Sequence, residues 1–303
     1  MNDGLPTLWR RVGWRFESVG YDVVSFLLRR LSVDAASRLG GAALERLGPL
    51  TRRHRIVLRN LELAFPELAS AAREGIAREH WNQIGRTFAE FPLMDRLTPR
   101  SGRVEVVGLE RLTGLAARGE AAVLVSGHLS NWEVMMAVIA ASGLRCRTSY
   151  RPANNPHTDR RIVLNRQRYG MDLAAARGSS GARDLLAALR HGVSAAMLDD
   201  QRDSSGVEGP FFGRSVWTAP GPVRFALKCG VPLVPMSVVR LAGARFRVTI
   251  HPPIPLQRTG DTPRDIQAGV AQVNAFIEGV IRARPAEWMW SHRRWPLECY
   301  ADL

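Results

Sequence analysis

His128 and Glu133 are the residues whose types and spacing point most directly to chemistry, in the stretch VLVSGHLSNWE at residues 123–133. A histidine held by a carboxylate can take a proton from a hydroxyl, because the carboxylate fixes the imidazole tautomer and stabilises the imidazolium that forms. Glu133 follows His128 by five residues, so from the first turn of a helix its carboxylate can reach back toward the imidazole. Ser130-x-x-Glu133 also has the pattern of a capping box, which would leave Glu133 with a structural task only. Further along, Asp199-Asp200-Gln201 puts two carboxylates together. Paired acids of this kind can bind metal, orient arginines or cap a turn.

The elements that must position these groups follow from apolar patterning. Residues 121–125 have the length and β-branched content of a buried strand, and a helix is expected from about residue 131 to 141. His128 then falls at a strand-to-helix turn, where open α/β sheets place their chemistry. Strands are also expected over residues 104–107, 145–150, 193–198, 231–239 and 245–251, so that Asp199 and Asp200 again lie at a strand's end. Helices are expected over residues 70–91, 110–118, 182–190, 218–229 and 266–282, with a basic helix carrying Arg160, Arg161, Arg166 and Arg168. Arg151-Pro152-Ala153-Asn154-Asn155-Pro156 enforces a turn, and Gly178-Ser179-Ser180-Gly181 reads as a second turn whose glycines would let backbone approach an anion. Residues 208–213 read as an apolar, turn-bounded loop, either the wall of a pocket for an apolar chain or a plug over the sheet. Alternating strands and helices predict one α/β domain, a single mixed sheet flanked by helices over residues 69–303. A helical region, residues 1–68, precedes it and is expected to form one continuous unit with it.

Composition bounds the partners. At 303 residues and 46% apolar content the chain can bury one large core. Cys146, Cys229 and Cys299 are scattered and odd in number, which points to a reducing compartment and not to a disulfide framework. The net charge of +14 rests on arginine, with Lys228 the only lysine, and favours polyanions: nucleic acid, anionic membrane or an acidic carrier protein. No nucleic-acid module is recognisable, and the aromatics fall beside apolar runs, so nucleic acid is not expected as a partner. No run of eighteen apolar residues and no secretory signal pattern is readable. Before Leu61 the chain carries 11 arginines against 5 acids, interleaved with Trp9, Trp14, Phe16 and Phe26. Helices of that composition lie in a membrane interface, with rings and guanidinium groups at headgroup level. An ordinary helical layer packed on the core is the competing reading.

With those residues identified, the sequence resembles the late acyltransferases of lipid A biosynthesis, the lauroyl/myristoyl group within the glycerolipid acyltransferase superfamily. The superfamily hallmark, His, four residues, then Asp or Glu, is His128 and Glu133. Further blocks occur in the family's order: Arg59-Asn60-Leu61 with Phe65-Pro66-Glu67, Tyr150-Arg151-Pro152 with Asn154-Asn155, Arg166, Asp200-Gln201, Pro210-Phe211-Phe212-Gly213 with Thr218, and Trp288-x-Trp290-x-His292-Arg293-Arg294. The resemblance implies a glycerol-3-phosphate-acyltransferase-like sheet and transfer of a fatty acyl group from acyl carrier protein to a hydroxyl of a Kdo-bearing, anionic lipid A precursor. It implies no metal or organic cofactor, and a place on the cytoplasmic face of the inner membrane, peripheral or N-terminally anchored. His128 would be the general base and Glu133 its orienting carboxylate. Arg166 would meet the anionic substrate or the developing oxyanion, and Asp200 would hold a neighbouring arginine. The substrate-binding set expected on this reading is Arg151, Asn154, Arg166, Asp200, Phe211, Phe212 and Arg240.

Two departures from the family matter. Residues 19–33, where relatives usually have a membrane anchor, are broken here by Asp22, Arg29 and Arg30, so interfacial binding is expected instead of spanning. Asp199 stands where relatives often carry another residue. Direct transfer is favoured, since no cysteine or serine has a nucleophile's setting, although Ser126 and Ser130 flank His128. The alternatives are acyl-CoA-dependent transfer to a mannosylated phosphatidylinositol or other glycolipid, and a non-catalytic scaffold at the membrane surface.

Overall fold

The computed structural model describes residues 8–148, 150, 152–170, 172–173 and 179–303. Four helices open the chain: α1 (Leu8–Arg29), α2 (Val33–Leu47), α3 (Arg52–Ala64) and α4 (Ser70–Glu90). Strands and helices then alternate as β1 (Val104–Val107), α5 (Leu109–Arg118), β2 (Val123–Ser126), α6 (Glu133–Ala141), β3 (Cys146–Thr148), α7 (Pro156–Arg168), β4 (Asp172–Leu173), α8 (Ser179–Arg190) and β5 (Ser194–Leu198). The remainder is β6 (Arg202–Phe211), β7 (Arg214–Thr218), α9 (Gly221–Cys229), β8 (Leu233–Arg240), β9 (Phe246–Ile250) and α10 (Thr262–Ala283).

Seven strands form one sheet in the order β1-β9-β8-β2-β5-β3-β4, parallel throughout except for the antiparallel β8–β9 pair. The sheet is therefore mixed and helix-flanked, as the patterning predicts. Every residue of β2 is buried, which is why its sequence is a continuous apolar run and not an alternating one. Residues 208–213, expected as a loop, instead complete β6 and turn into β7, a two-stranded antiparallel hairpin. Its turn residues Phe212 and Gly213 have φ of 51° and 69°, the left-handed pair that matches the twist of hairpin strands. The serines of the expected 178–181 turn begin α8, and Gly178 lies outside the described residues.

The N-terminal helices pack onto the α/β layer through close and polar contacts. α2 and α4 meet at Gly40 and Gly85, where a Cβ on Gly85 would lie 2.1 Å from the Gly40 carbonyl oxygen. α3 is tied to the C-terminal segment by Asn60, whose amide donates to the carbonyl oxygens of Trp290 and His292, each at 2.7 Å. α1 behaves differently. It is held by the Arg29–Asp95 pair at 2.9 Å and by Asn155, which donates to the Trp14 carbonyl at 2.9 Å. Its outer face leaves Trp9 84% and Phe16 75% exposed, along with Val19, Val23, Phe26 and Leu27. Among the described residues no helix is long and apolar enough to cross a membrane.

Arg240, expected to bind substrate, is buried at the end of β8 and committed to the core. Its guanidinium pairs with the fully buried Glu90 of α4 and donates to Gln83 at 2.7 Å, while Asn131 donates to Glu90 at 2.9 Å. Its fork matches a carboxylate whose second oxygen has another donor, so both charges are compensated without water. Arg240→Ala leaves the buried Glu90 side chain without its cation, with the Asn131 amide still on it, and is expected to cost about 3–5 kcal/mol of stability, read as a shift in urea midpoint.

His80 of α4 is fully buried, with the Trp288 backbone as the one polar group that favours its charged form. Burial pushes its pKa down to about 3, and burial likewise pushes His292 down to about 4 against the attraction of Asp200. Both are neutral when folded but accept protons in the unfolded chain near pH 6.5, so their contribution is complete above that pH and lost as pH falls toward 4. Within that window each costs about 1.4 kcal/mol per pH unit. His80→Phe is expected to flatten the fall in urea midpoint between pH 6.5 and pH 4.5; an unchanged slope would assign the acid sensitivity to other groups.

Candidate active site

β2 and β5 are parallel neighbours in the register Ser126↔Leu198. Two residues past that pair, the chain places His128 beside Asp200. The Asp199 amide donates to the Ser126 carbonyl at 2.8 Å, and the His128 amide donates to Asp200 Oδ2 at 2.7 Å. The imidazole completes the contact through Nδ1, 2.7 Å from Asp200 Oδ1. An ionised carboxylate only accepts, so Nδ1 carries the proton and Nε2 is left as the basic nitrogen. Gly127 makes room for this approach, since a Cβ there would lie 3.1 Å from Asp200 Oδ2.

The Asp200 side chain has no exposed surface. Burial works to raise its pKa, but the charge and hydrogen bonds of His128 outweigh burial and hold the carboxyl well below the usual range. Trp288 Nε1 adds a further donor to Oδ2 at 2.7 Å, and His292 Nε2 meets the Asp200 carbonyl at 3.2 Å. The expected arginine partner of Asp200 is not the one observed. Its oxygens are taken by His128 and Trp288, and Arg294 acts on it through space only.

Glu133 does not orient His128. It opens α6 with Trp132 as N-cap and no side-chain cap bond, so the capping box does not form either. Its carboxylate instead receives a two-pronged contact from Arg166 of α7, with Nε at 3.0 Å, and a hydrogen bond from the Tyr169 hydroxyl. Burial opposes the Arg166 charge, but the Glu133 hydrogen bonds and charge reverse this and raise its pKa. Burial beside the Glu133 charge raises that of Tyr169. Arg166, expected to face substrate alone, is thus half of a partly buried ion pair.

His128, Trp132, Glu133 and Arg166 all line a cavity of about 380 Å³, completed by Met136, Tyr150, Ala153, Ile162, Leu198 and Gln201 among others. Trp132 packs edge-on to His128 with ring centroids 5.1 Å apart. A smaller, apolar cavity of about 110 Å³ adjoins it and is shared with Tyr21 of α1, Phe91 and Met94. The lining thus offers one basic nitrogen, an ion pair and apolar walls. That combination suits a long apolar substrate with a reactive hydroxyl or carbonyl at one end.

Of the other expected site residues, Asn154 is exposed on the turn before α7, and Arg151 lies outside the described residues. Phe211 and Phe212 are buried away from the cavity, in an aromatic cluster with Phe65, Trp288, Trp290 and Trp295, so they act as the plug and not as a pocket wall. Reading the sequence missed Trp132, Tyr169 and the role of Trp288. Trp132 carries a legible signal, lying within the motif one helical turn beyond His128. Trp288 and Tyr169 carry none beyond their residue type.

Comparison with known proteins gives the family. The family model described as bacterial lipid A biosynthesis acyltransferase matches residues 18–296. The lipid A biosynthesis palmitoleoyltransferase of Escherichia coli is 27% identical over 290 residues, 93% of this chain and 87% of the relative. The lauroyltransferase of the same organism is 27% identical over 280 residues, covering 89% and 88%. The myristoyltransferase is 26% identical over 260, covering 84% and 77%. A solved structure, the 1-acyl-sn-glycerophosphate acyltransferase of Thermotoga maritima, shares 12% identity and a TM-score of 0.36 over 78% of this chain and 98% of that one. With the match running through α1 to the C-terminal tryptophan segment and enclosing His128, Asp200 and the cavity, the chain belongs to the bacterial lipid A biosynthesis acyltransferase family and is an acyltransferase.

Proposed function

We propose that this acyltransferase moves a fatty acyl group from acyl carrier protein to a hydroxyl of a Kdo-bearing lipid A precursor, with His128 as general base and Asp200, in place of Glu133, as the carboxylate that orients it. The observation that carries this reading is the 2.7 Å contact between His128 Nδ1 and the buried Asp200 at the mouth of a part-apolar cavity. His128 Nε2 takes the proton as the acceptor oxygen attacks the thioester carbonyl carbon. The tetrahedral adduct collapses with loss of the thiolate, which recovers that proton from the imidazolium, and the product is an ester. General-base assistance of this kind contributes about 10²–10⁴-fold, with positioning supplying a further share. The Glu133–Arg166 pair braces the cavity between α6 and α7 and presents a fixed dipole beside the reacting groups.

Charge and shape support the partners. A cleft of about 490 Å³ is lined by Arg52, Arg53, Arg55 and Arg293, a surface suited to the phosphates of the acceptor or to an acidic carrier protein. The apolar outer face of α1, with Arg10 stacked on Trp14 and Arg30 on Phe26, suits the interface of the inner membrane on its cytoplasmic side.

The test combines purified protein, a tetra-acylated Kdo-bearing precursor and acyl carrier protein thioesters of several lengths, with acyl-CoA in parallel and product mass as readout. A mass gain of one acyl group that needs the carrier protein is expected. His128→Ala and Asp200→Asn are each expected to lower kcat by about 10³-fold with the fold retained. Acyl transfer that survives in His128→Ala, or an acyl-serine trapped on Ser126 or Ser130, would overturn the general-base route. Co-sedimentation checks the membrane reading: binding to anionic vesicles is expected to exceed binding to neutral ones and to fall about tenfold in Trp9→Ser/Phe16→Ser.

A further inference from the structure

Trp288 reaches the catalytic pair from the opposite end of the chain. It is wholly buried, and its indole donates to Asp200 Oδ2 at 2.7 Å, the oxygen that also accepts the His128 backbone N–H. The next residue, Met289, donates its amide to the His128 carbonyl at 3.1 Å, and Trp288 forms an isolated antiparallel bridge with Leu129. One dipeptide therefore holds both halves of the pair, the carboxylate by a side chain and the histidine by its backbone. The indole is itself fixed by ring contacts to Trp290 at 4.6 Å, His292 at 5.0 Å and Phe211 at 5.8 Å.

We propose that Trp288 is a positioning residue for proton transfer: by anchoring Asp200 Oδ2 it fixes the plane of the carboxylate, so that Oδ1 stays on His128 Nδ1 and the imidazole is held with Nε2 as the base. A carboxylate held through one oxygen can rotate and offer either oxygen to the ring. The His128 backbone N–H and the Trp288 indole together hold Oδ2 from two directions, which resists that rotation and keeps Oδ1 on the imidazole. Indole suits the task because it donates and never accepts, so it cannot compete with His128 for a proton. Its bond is made to an ionised acceptor in a buried site, where such bonds are strongest. The other groups around the pair are His292 with His80 behind it, Arg294 and Asp199 on the strand side, and Glu133, Arg166, Tyr169, Tyr150 and Asp159 across the cavity. None of these donates to Oδ2 among the described residues.

The proposal rests on His128 acting as the base, and the experiment separates the two. Trp288→Phe removes the N–H and keeps an aromatic ring. Trp290→Phe makes the same change in the same cluster, where the indole donates to the Pro285 carbonyl at 2.6 Å and does not touch Asp200. In histidine-labelled protein, the low-field proton of His128 Nδ1, identified by its loss in His128→Gln, is expected to weaken or vanish in Trp288→Phe and to persist in Trp290→Phe. Kinetically, Trp288→Phe is expected to lower kcat about tenfold with KM within about twofold. If Trp288→Phe does not fold, site-specific benzothienylalanine, sulfur replacing only the N–H, takes its place. An unchanged low-field proton with unchanged kcat, or equal effects of Trp290→Phe, would overturn the proposal. Absence of acyl transfer by the wild-type protein would overturn the functional reading instead, with the resonance still reporting on Trp288.

Discussion

The site depends on one pairing, the parallel register of β2 against β5. Because Ser126 lies opposite Leu198, the two chains leave the sheet side by side, and the buried Asp200 carboxylate can take both the backbone and the ring of His128. A buried charge is tolerable only when its oxygens are saturated with donors, and here three N–H groups supply them. A slip of one residue between these strands would remove the histidine from its partner and leave the carboxylate uncompensated. Folding and the chemistry of the site are therefore secured by the same contacts.

Around that pair the molecule solves the burial of charge twice more, and each solution joins elements distant in sequence. Glu90 and Arg240 link α4 to β8, with Asn131 of the motif turn donating to the same carboxylate. Glu133 and Arg166 link α6 to α7, with Tyr169 completing the carboxylate's shell. Both pairs bear on the segment 128–133, whose Ser130 holds a positive φ of 47° for a residue that is not glycine. Such a conformation persists because its surroundings over-determine it: the Ser130 amide donates to the Glu287 carbonyl, and the Thr87 hydroxyl donates to the Ser130 carbonyl at 3.1 Å. The turn that carries His128 is thus held by α4, by α7 through Glu133 and by the C-terminal segment.

α1 belongs to the same scheme with its polarity reversed. One side contacts the site region, where Tyr21 closes the small cavity behind Trp132 and Asn155 caps α7 while holding α1. The other side leaves its aromatics in contact with solvent. An apolar face of this size on a surface helix calls for an apolar environment, and the arginines stacked on Trp14 and Phe26 place positive charge at its margin.

Local order was legible in the sequence because local order has local causes. The buried β2 run, the strand-to-helix turn at His128, the long helices of the amphipathic segments and the family blocks all rest on spacings of two to seven residues. They mark the sheet, the candidate histidine and the family. What the tertiary structure alone decided is which side chains meet. His128 found its carboxylate 72 residues away through strand register, not five residues away through helix spacing. Glu133 and Arg166 took each other across the 33 residues that separate them in sequence. Arg240 went to the core because a buried Glu90 on α4 awaited it, and Phe211 and Phe212 went to an aromatic cluster assembled from both ends of the chain. Residue types state what a side chain can do, but its partner is set by three-dimensional packing, where distance along the chain exerts no constraint.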